Sequence, residues 1–305
     1  MTDFFLVKEI TVKTGSNKKQ YLDLRLGDRT GELFAKKWDI SDEELEGLSK
    51  YRVGDIIKVK AQVTEWNNAR QLKIAKIRHS GPDDGLDKND FYKAAPEDPG
   101  EMFSFILARA EAIEDGDFKA VSVKLLNDNK DKLLYYPAAA RNHHAEYAGL
   151  LWHMKCMLMM ADRYCEVYTF LDRDLLACGV IIHDIEKIRE MNSDENGVVS
   201  EYSVEGVLLG HLVQGAAAMR CLATELGLPE EKAVMLEHMI ISHHYEPEYG
   251  SPRRPMFPEA EALHYLDMVD AKLFDMEEAL AGAAPGGFSE RVRTLDNRRI
   301  YKRSW

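Results

Sequence analysis

Leu175-Leu176-Ala177-Cys178-Gly179-Val180-Ile181-Ile182-His183-Asp184 is the stretch that decides the larger part of this chain: eight apolar or small residues run straight into an adjacent imidazole and carboxylate. Such a run reads as a buried helix, and burying a charge without a partner costs several kcal/mol. His183 and Asp184 on one buried helix therefore need a counter-charge, and a divalent cation provides it. At about 100° per residue, Lys187 projects about 40° from His183 and about 60° from Asp184, on the same face, placed to meet an anion at the metal.

Helical periodicity extends on both sides. Over Glu146–Tyr168, the residues Leu150, Met154, Met157, Leu158 and Ala161 form one apolar stripe. Further helices are expected over about 101–114, 116–128, 173–190, 203–226, 230–243 and 259–281, which makes this region all-α. Nine of the ten histidines fall between positions 143 and 264. His153 lies about 60° off the centre of its stripe and can face an interhelical cleft. His211 follows Leu208-Leu209-Gly210, His243-His244 end the helix containing Ile240 and Ile241, and Asp267 and Asp270 share a helix face after Pro258. Helical bundles build metal sites in this way, from inward side chains on several helices. His238 projects roughly 140° from His243 and cannot easily share its site. His79 and His264 read as ordinary, and Met154, Met157, Met159 and Met160 as core filling.

Residues 3–80 carry a different period. Leu22, Leu24 and Leu26 alternate with Tyr21, Asp23 and Arg25, and a second run from Glu32 to Trp38 follows the turn chemistry of Asp28-Arg29-Thr30-Gly31. A short polar helix is expected over Asp42–Ser49; Ile56–Trp66 and Arg70–Arg78 then flank a turn at Asn67-Asn68. Several short strands and one helix suggest a small barrel of the OB type. On it, Phe34, Lys36 and Trp38 alternate onto one face, as do Lys58, Lys60 and Trp66. Cations for phosphate and rings for base stacking suit single-stranded nucleic acid; Trp38 and Trp66 as plugs of the barrel core is the competing reading. Gly81-Pro82-Asp83-Asp84-Gly85 breaks the pattern. The expected organisation is a barrel over 1–80, a linker over 81–97, a helical domain over 98–288 and a basic arm over 289–305.

With 305 residues, 45% hydrophobic and 30% charged, the chain is neither disordered nor collagen-like, and its length favours two domains. Residues 1–80 carry 16 Lys and Arg against 12 Asp and Glu; residues 81–305 carry 24 against 40. A mildly basic module joined to an acidic one fits a polyanion-binding domain beside a domain that concentrates metal cations. No apolar run reaches the roughly 18–20 residues of a membrane span, so no membrane association is expected. No signal peptide is evident. Cys156, Cys165, Cys178 and Cys221 form no C-x-x-C pair and read as reduced core thiols of a cytoplasmic protein.

The ordered set His153, His183-Asp184, His211, His243-His244 and Asp267 resembles the HD-domain metal-dependent phosphohydrolases, in the version with extra histidines that holds two metals. Asn142-His143-His144, Gly149-Leu150-Leu151-Trp152-His153, Leu209-Gly210-His211 and Ile241-Ser242-His243-His244-Tyr245-Glu246 narrow the likeness. So do Tyr249-Gly250-Ser251-Pro252-Arg253-Arg254-Pro255 and Leu295-Asp296-Asn297-Arg298-Arg299. With the barrel ahead of them, they look like the YhaM-type 3′→5′ exoribonucleases over nearly the whole chain. The resemblance implies an HD fold that removes nucleoside 5′-monophosphates from the 3′ end of single-stranded RNA or DNA, usually with Mn²⁺ or a similar ion.

The residue chemistry agrees. Imidazole and carboxylate without thiolate suit Mn, Fe, Co or Ni better than structural zinc. Asp184 can bridge two ions, and Lys187 can offset charge developing on phosphoryl oxygens. His153, His183, Asp184, His211, His243, His244 and Asp267 are the expected ligands, with a substrate contact as the other role open to the second of His243-His244. His144 and Asp270 are expected to contact substrate or to support the ligands. One departure stands out: Glu186 occupies a position where the family has glycine, about 60° from His183 on a helix. There it could crowd a ligand, pair with Lys187 or repel phosphate, which puts full activity and metal preference in doubt. Two other functions remain open at this level: hydrolysis of a mononucleotide or cyclic nucleotide, and nucleic-acid binding with an inert HD domain. The oligomeric state is open, a homo-oligomer included.

Overall fold

In the computed structural model, residues 1–15, 18–28, 31–38, 40, 50–66, 69–86, 90–140 and 144–305 are described, without the side chains of Trp66 and Ala69. The helix expected over Asp42–Ser49, the Asn67-Asn68 turn, Asn142 and His143 lie outside the described residues. Two compact units emerge, Met1–Ala94 and Ala95–Trp305.

In the first unit, β1 (Thr2–Thr14), β2 (Gln20–Asp28), β3 (Gly31–Lys37), β4 (Ile56–Trp66) and β5 (Ala69–His79) close a barrel in the order β1-β2-β3-β5-β4. All pairs are antiparallel except β3 and β5, which run parallel through Phe34↔Gln71, Ala35↔Leu72 and Lys36↔Lys73. This is the five-stranded OB-type architecture. The period-2 pattern sends Leu22, Leu24, Leu26, Ala35, Ile57, Val59 and Leu72 inward. Trp38 does not plug that core. It is 40% exposed and stacks on Tyr21 with ring centroids 4.3 Å apart, with the Lys36 ammonium 5.5 Å from its ring. Residues 81–86 run on from the barrel: Asp84 is held by both Nη atoms of Arg78 and accepts from the Gly81 amide.

The second unit packs α1 (Pro99–Glu111), α2 (Gly116–Leu133), α3 (Gly149–Val167), α4 (Arg173–Ile182), α5 (Lys187–Glu190), α6 (Val204–Leu208), α7 (Gly210–Leu226), α8 (Glu230–Ser242) and α9 (Pro258–Ala281) around one core. The α3 stripe is buried as its spacing predicts, and all of Leu175–Ile182 on α4 is buried. None of the described helices is long and apolar enough to cross a membrane.

Two expected helices are broken, both at the site. The helix expected over 173–190 ends at Ile182, and residues 183–186 form turns before α5 begins. Bonds such as Ile185 N–H to Ile182 O and Lys187 N–H to Asp184 O tighten this segment. The helical-wheel angles of 183–187 therefore do not hold. The helix expected over 203–226 breaks at Gly210, whose φ of +70° is the left-handed conformation that glycine adopts without strain. Two antiparallel hairpins were not expected: β6 (Met191–Ser193) with β7 (Val199–Tyr202), and β8 (Phe288–Val292) with β9 (Arg298–Tyr301). Strands of three to five residues are too short to display a period against a helical background.

Candidate metal centre

Asp184 is the centre of the site. Its Oδ1 lies 3.4 Å from Nε2 of His211 and 3.6 Å from Nε2 of His243, while Oδ2 lies 3.4 Å from Nε2 of His183 and 3.8 Å from Nε2 of His153. Asp267 Oδ1 closes the second side, 3.4 Å from His153 Nε2. Ligand atoms of Asp184, His211, His243 and His244 all fall within 4.8 Å of one another, as do those of His153, His183 and Asp184. These side chains come from α3, α7, α9 and the ends of α4 and α8.

The five imidazoles share one arrangement. Each hydrogen-bonds outward through Nδ1: His153 to Asp270 Oδ2 (2.6 Å), His183 to Val180 O (2.8 Å), His211 to Glu190 Oε1 (3.0 Å), His243 to Ile240 O (2.7 Å) and His244 to Tyr249 O (2.8 Å). An Nδ1–H donor fixes the tautomer that leaves the Nε2 lone pair free, which is how ligating histidines are oriented. His183 and His243 do this as C-caps of α4 and α8, each donating to the carbonyl three residues back. Sequence reasoning did not single out Glu190, which accepts from both the Nδ1 and the backbone N–H of His211. Gly206 lets α6 approach it: a Cβ there would sit 2.0 Å from the Glu190 carbonyl oxygen.

Electrostatics follows from burial. Desolvation opposes the Asp184 carboxylate, yet Lys187 and His183 hold its pKa well below the usual range. Lys187 Nζ donates to Asp184 Oδ2 at 2.6 Å; burial works against the ammonium, and Asp184 raises its pKa nevertheless. Burial and the neighbouring His244 push His243 down to about 3, so its imidazole is neutral. Asp184 Oδ1 and the Nε2 atoms of His211 and His243 are buried without a hydrogen-bond partner. Orphaned acceptors at the focus of a histidine and carboxylate cluster fit a divalent cation.

The remaining expected residues divide clearly. Asp270 accepts from both His153 Nδ1 and His144 Nε2, so both lie behind the ligands rather than open to substrate. His144 is only 1% exposed and packs its ring on Phe274 at 4.1 Å. Glu186 does not crowd the cluster: its carboxylate is 3.5 Å from Arg189, and its Cγ lies 3.8 Å from where a Cβ on Gly215 would stand. Residues 183–186 form turns, so the projection that a continuous helix would give Glu186 does not apply. His238 accepts from the Met256 amide, His264 donates to the His243 carbonyl, and His79 stacks on Tyr51 in the barrel. On the barrel, Phe34 is 57% exposed, Lys60 is exposed, and Lys58 is half-buried over the Phe4 ring at 4.6 Å. The Trp66 side chain lies outside the described residues.

An HD domain model matches residues 150–272, a span that contains all seven expected ligands. Curated relatives match across the full chain. The 3′-5′ exoribonuclease YhaM of Halalkalibacterium halodurans is 36% identical, covering 99% of this chain and 92% of its own. That of Shouchella clausii is 39% identical over 99% and 93%. The chain belongs to the YhaM exoribonuclease family. The YhaM protein of Bacillus subtilis strain 168 is similar at 37% identity over 98% of this chain and 93% of its own. Among solved structures, the second OB-fold domain of replication protein A from Methanococcus maripaludis aligns with 26% of this chain and 80% of its own. Its 20% identity and TM-score of 0.21 bear no weight for function. The match spans both the barrel and the HD domain of this chain, and the HD domain implies dependence on a divalent metal.

Proposed function

We propose that this chain is a metal-dependent 3′→5′ exonuclease that hydrolyses single-stranded nucleic acid, RNA in preference to DNA, to nucleoside 5′-monophosphates. The observation that carries this reading is Asp184, whose two oxygens face two separate histidine sets in a chain aligned end to end with exoribonucleases. His153, His183 and Asp267 would hold one divalent ion and His211, His243 and His244 a second, with Asp184 shared; Mn²⁺ suits the donors, with Fe, Co and Ni as alternatives. When bound, such a pair acidifies water and clamps the oxygens of an in-line displacement.

The chain's own groups do the rest. Asp270, Glu190 and the Val180, Ile240 and Tyr249 carbonyls keep every Nε2 aimed inward, so no reorganisation is needed at the moment of reaction. Lys187 keeps its charge beside Asp184, where it can offset a phosphoryl oxygen. On the barrel, Tyr21, Phe34, Lys36 and Trp38 supply stacked rings and an ammonium for the strand, with Lys58 and Lys60 on the β4 side. Four unpaired cysteines support a cytoplasmic location.

The test is a 5′-labelled single-stranded 20-mer incubated with Mn²⁺. Laddered shortening that Asp184→Ala abolishes is the expected result. Hydrolysis confined to mononucleotides or cyclic nucleotides, or binding without turnover in any divalent ion, would overturn the proposal.

A further inference from the structure

The helical unit up to β8 is strongly acidic: residues 95–288 carry 16 Lys and Arg against 34 Asp and Glu. Residues 289–305 reverse this, with six Lys and Arg against two acids. The reversal is folded into the β8–β9 hairpin, which Lys302 ties to the end of α9 by donating to the Leu280 carbonyl at 2.8 Å. Its inner side is anchored by Leu295, fully buried, and by Ser289 Oγ, which accepts from the Ile300 amide.

The outer side is unusual. Arg291 and Arg299 are directly opposite each other across the hairpin, as are Phe288 and Tyr301. Like charges in opposed positions destabilise a strand pair. Among the described residues, no carboxylate pairs with either arginine; Arg291 donates to the Asn297 carbonyl and Arg299 to the Ser289 carbonyl, each at 3.0 Å. The Phe288 and Tyr301 rings lie 5.2 Å apart while remaining 56% and 49% exposed, and the Arg299 guanidinium stands 5.5 Å from the Phe288 ring. Trp305, 88% exposed, follows on the same strand end.

We propose that this outer face of the β8–β9 hairpin, formed by Phe288, Arg291, Arg299 and Tyr301, is a contact surface for the single-stranded nucleic acid on the helical domain itself. The proposal rests on the nuclease reading above. An opposed arginine pair is relieved by phosphate, and an exposed ring pair with a stacked guanidinium offers π-faces to bases; an acidic protein surface would use the charges and leave the rings idle. Placement agrees with this. Asp267 in the candidate metal cluster and Leu280 at the hairpin lie on one helix, α9, thirteen residues or about 20 Å of helical rise apart. A strand held at the hairpin would thus lie within a few nucleotides of the hydrolytic centre.

The experiment measures the affinity of a fluorescein-labelled single-stranded RNA 20-mer by anisotropy, using the full chain in EDTA, together with dinucleotide hydrolysis in Mn²⁺. Arg291→Gln/Arg299→Gln should weaken 20-mer binding at least tenfold and reduce the log–log salt slope by about 1.4. Dinucleotide turnover should stay within twofold. Arg291→Lys/Arg299→Lys should recover much of the affinity. Phe288→Leu/Tyr301→Leu, which keeps strand-compatible apolar residues, should cost fivefold or more. Unchanged affinity and salt slope in both the Gln and the Leu pairs, with Lys36→Ala/Trp38→Ala still impaired, would overturn this surface and leave the nuclease reading intact. Failure of the unmutated chain to bind RNA at all would instead remove the reading on which it rests. Altered self-association with RNA affinity untouched would also overturn it.

Discussion

The carboxylate of Asp270 lies 2.6 Å behind Nδ1 of His153, on the far side of the imidazole from Asp184 and Asp267. One carboxylate oxygen serves both His153 and His144, and these two histidines hold Asp270 below the usual carboxylate range despite its burial. Removing this support leaves the ligand set complete but loosely aimed. Asp270→Asn should therefore weaken metal affinity 10- to 100-fold, the usual effect of losing an outer carboxylate partner. Activity titrated against Mn²⁺ should shift to higher metal and recover at saturation, whereas Asp184→Ala should not recover at any concentration.

Glu190 stands in the same relation to His211. Glu190→Gln keeps an acceptor for the imidazole and should lose less than tenfold in apparent metal affinity, while Glu190→Ala should lose more. Isothermal titration of the apo protein with Mn²⁺ separates the two; equal affinities would show that His211 is aimed by the backbone alone.

Glu186 is the residue at which helical projection and tertiary structure disagree. It packs toward Gly215 and Arg189, with Oε2 buried and without a hydrogen bond. Glu186→Gln should leave kcat within about twofold and change stability by less than about 1 kcal/mol, because losing the charge relieves its desolvation but gives up the Arg189 ion pair. A large gain in turnover would place the carboxylate in the substrate path instead.

Asp115 caps α2 through the Asp117 and Phe118 amides and pairs with Lys232. Desolvation opposes its charge, but the Lys232 and amide hydrogen bonds win and lower its pKa. A depressed carboxylate pKa contributes stability above the unfolded-state value, and that contribution disappears as pH falls through the folded one. Asp115→Ala should cost about 1 kcal/mol at pH 7. In urea melts the gap should narrow as pH is lowered through about 4 toward the depressed value.

Trp38 and Tyr21 form the exposed stack of the barrel. Trp38→Ala should weaken binding of a single-stranded 20-mer by about 1–3 kcal/mol per base stacked there, while dinucleotide hydrolysis is unaffected. Equal loss on both substrates would mean that the barrel does not act as a grip.

The sequence alone was enough for the two-part organisation. Period-2 alternation at Leu22, Leu24 and Leu26 and the apolar stripe of α3 are local signals, readable from neighbours in the chain. It also drew attention to His183-Asp184, because the run Leu175–Ile182 can end in this pair only if the buried charge is compensated. What it could not provide was direction. Whether Glu186 faces the metal or α7, whether Asp270 meets substrate or His153, and whether Trp38 plugs the barrel or stacks outside it depend on backbone breaks and cross-chain contacts. The turn at 183–186, the left-handed Gly210 and the pairing of Asp270 with a histidine 117 residues away exist only once the helices are packed. A helical period predicts which side of a cylinder a residue occupies; only packing decides where that cylinder ends and what stands opposite.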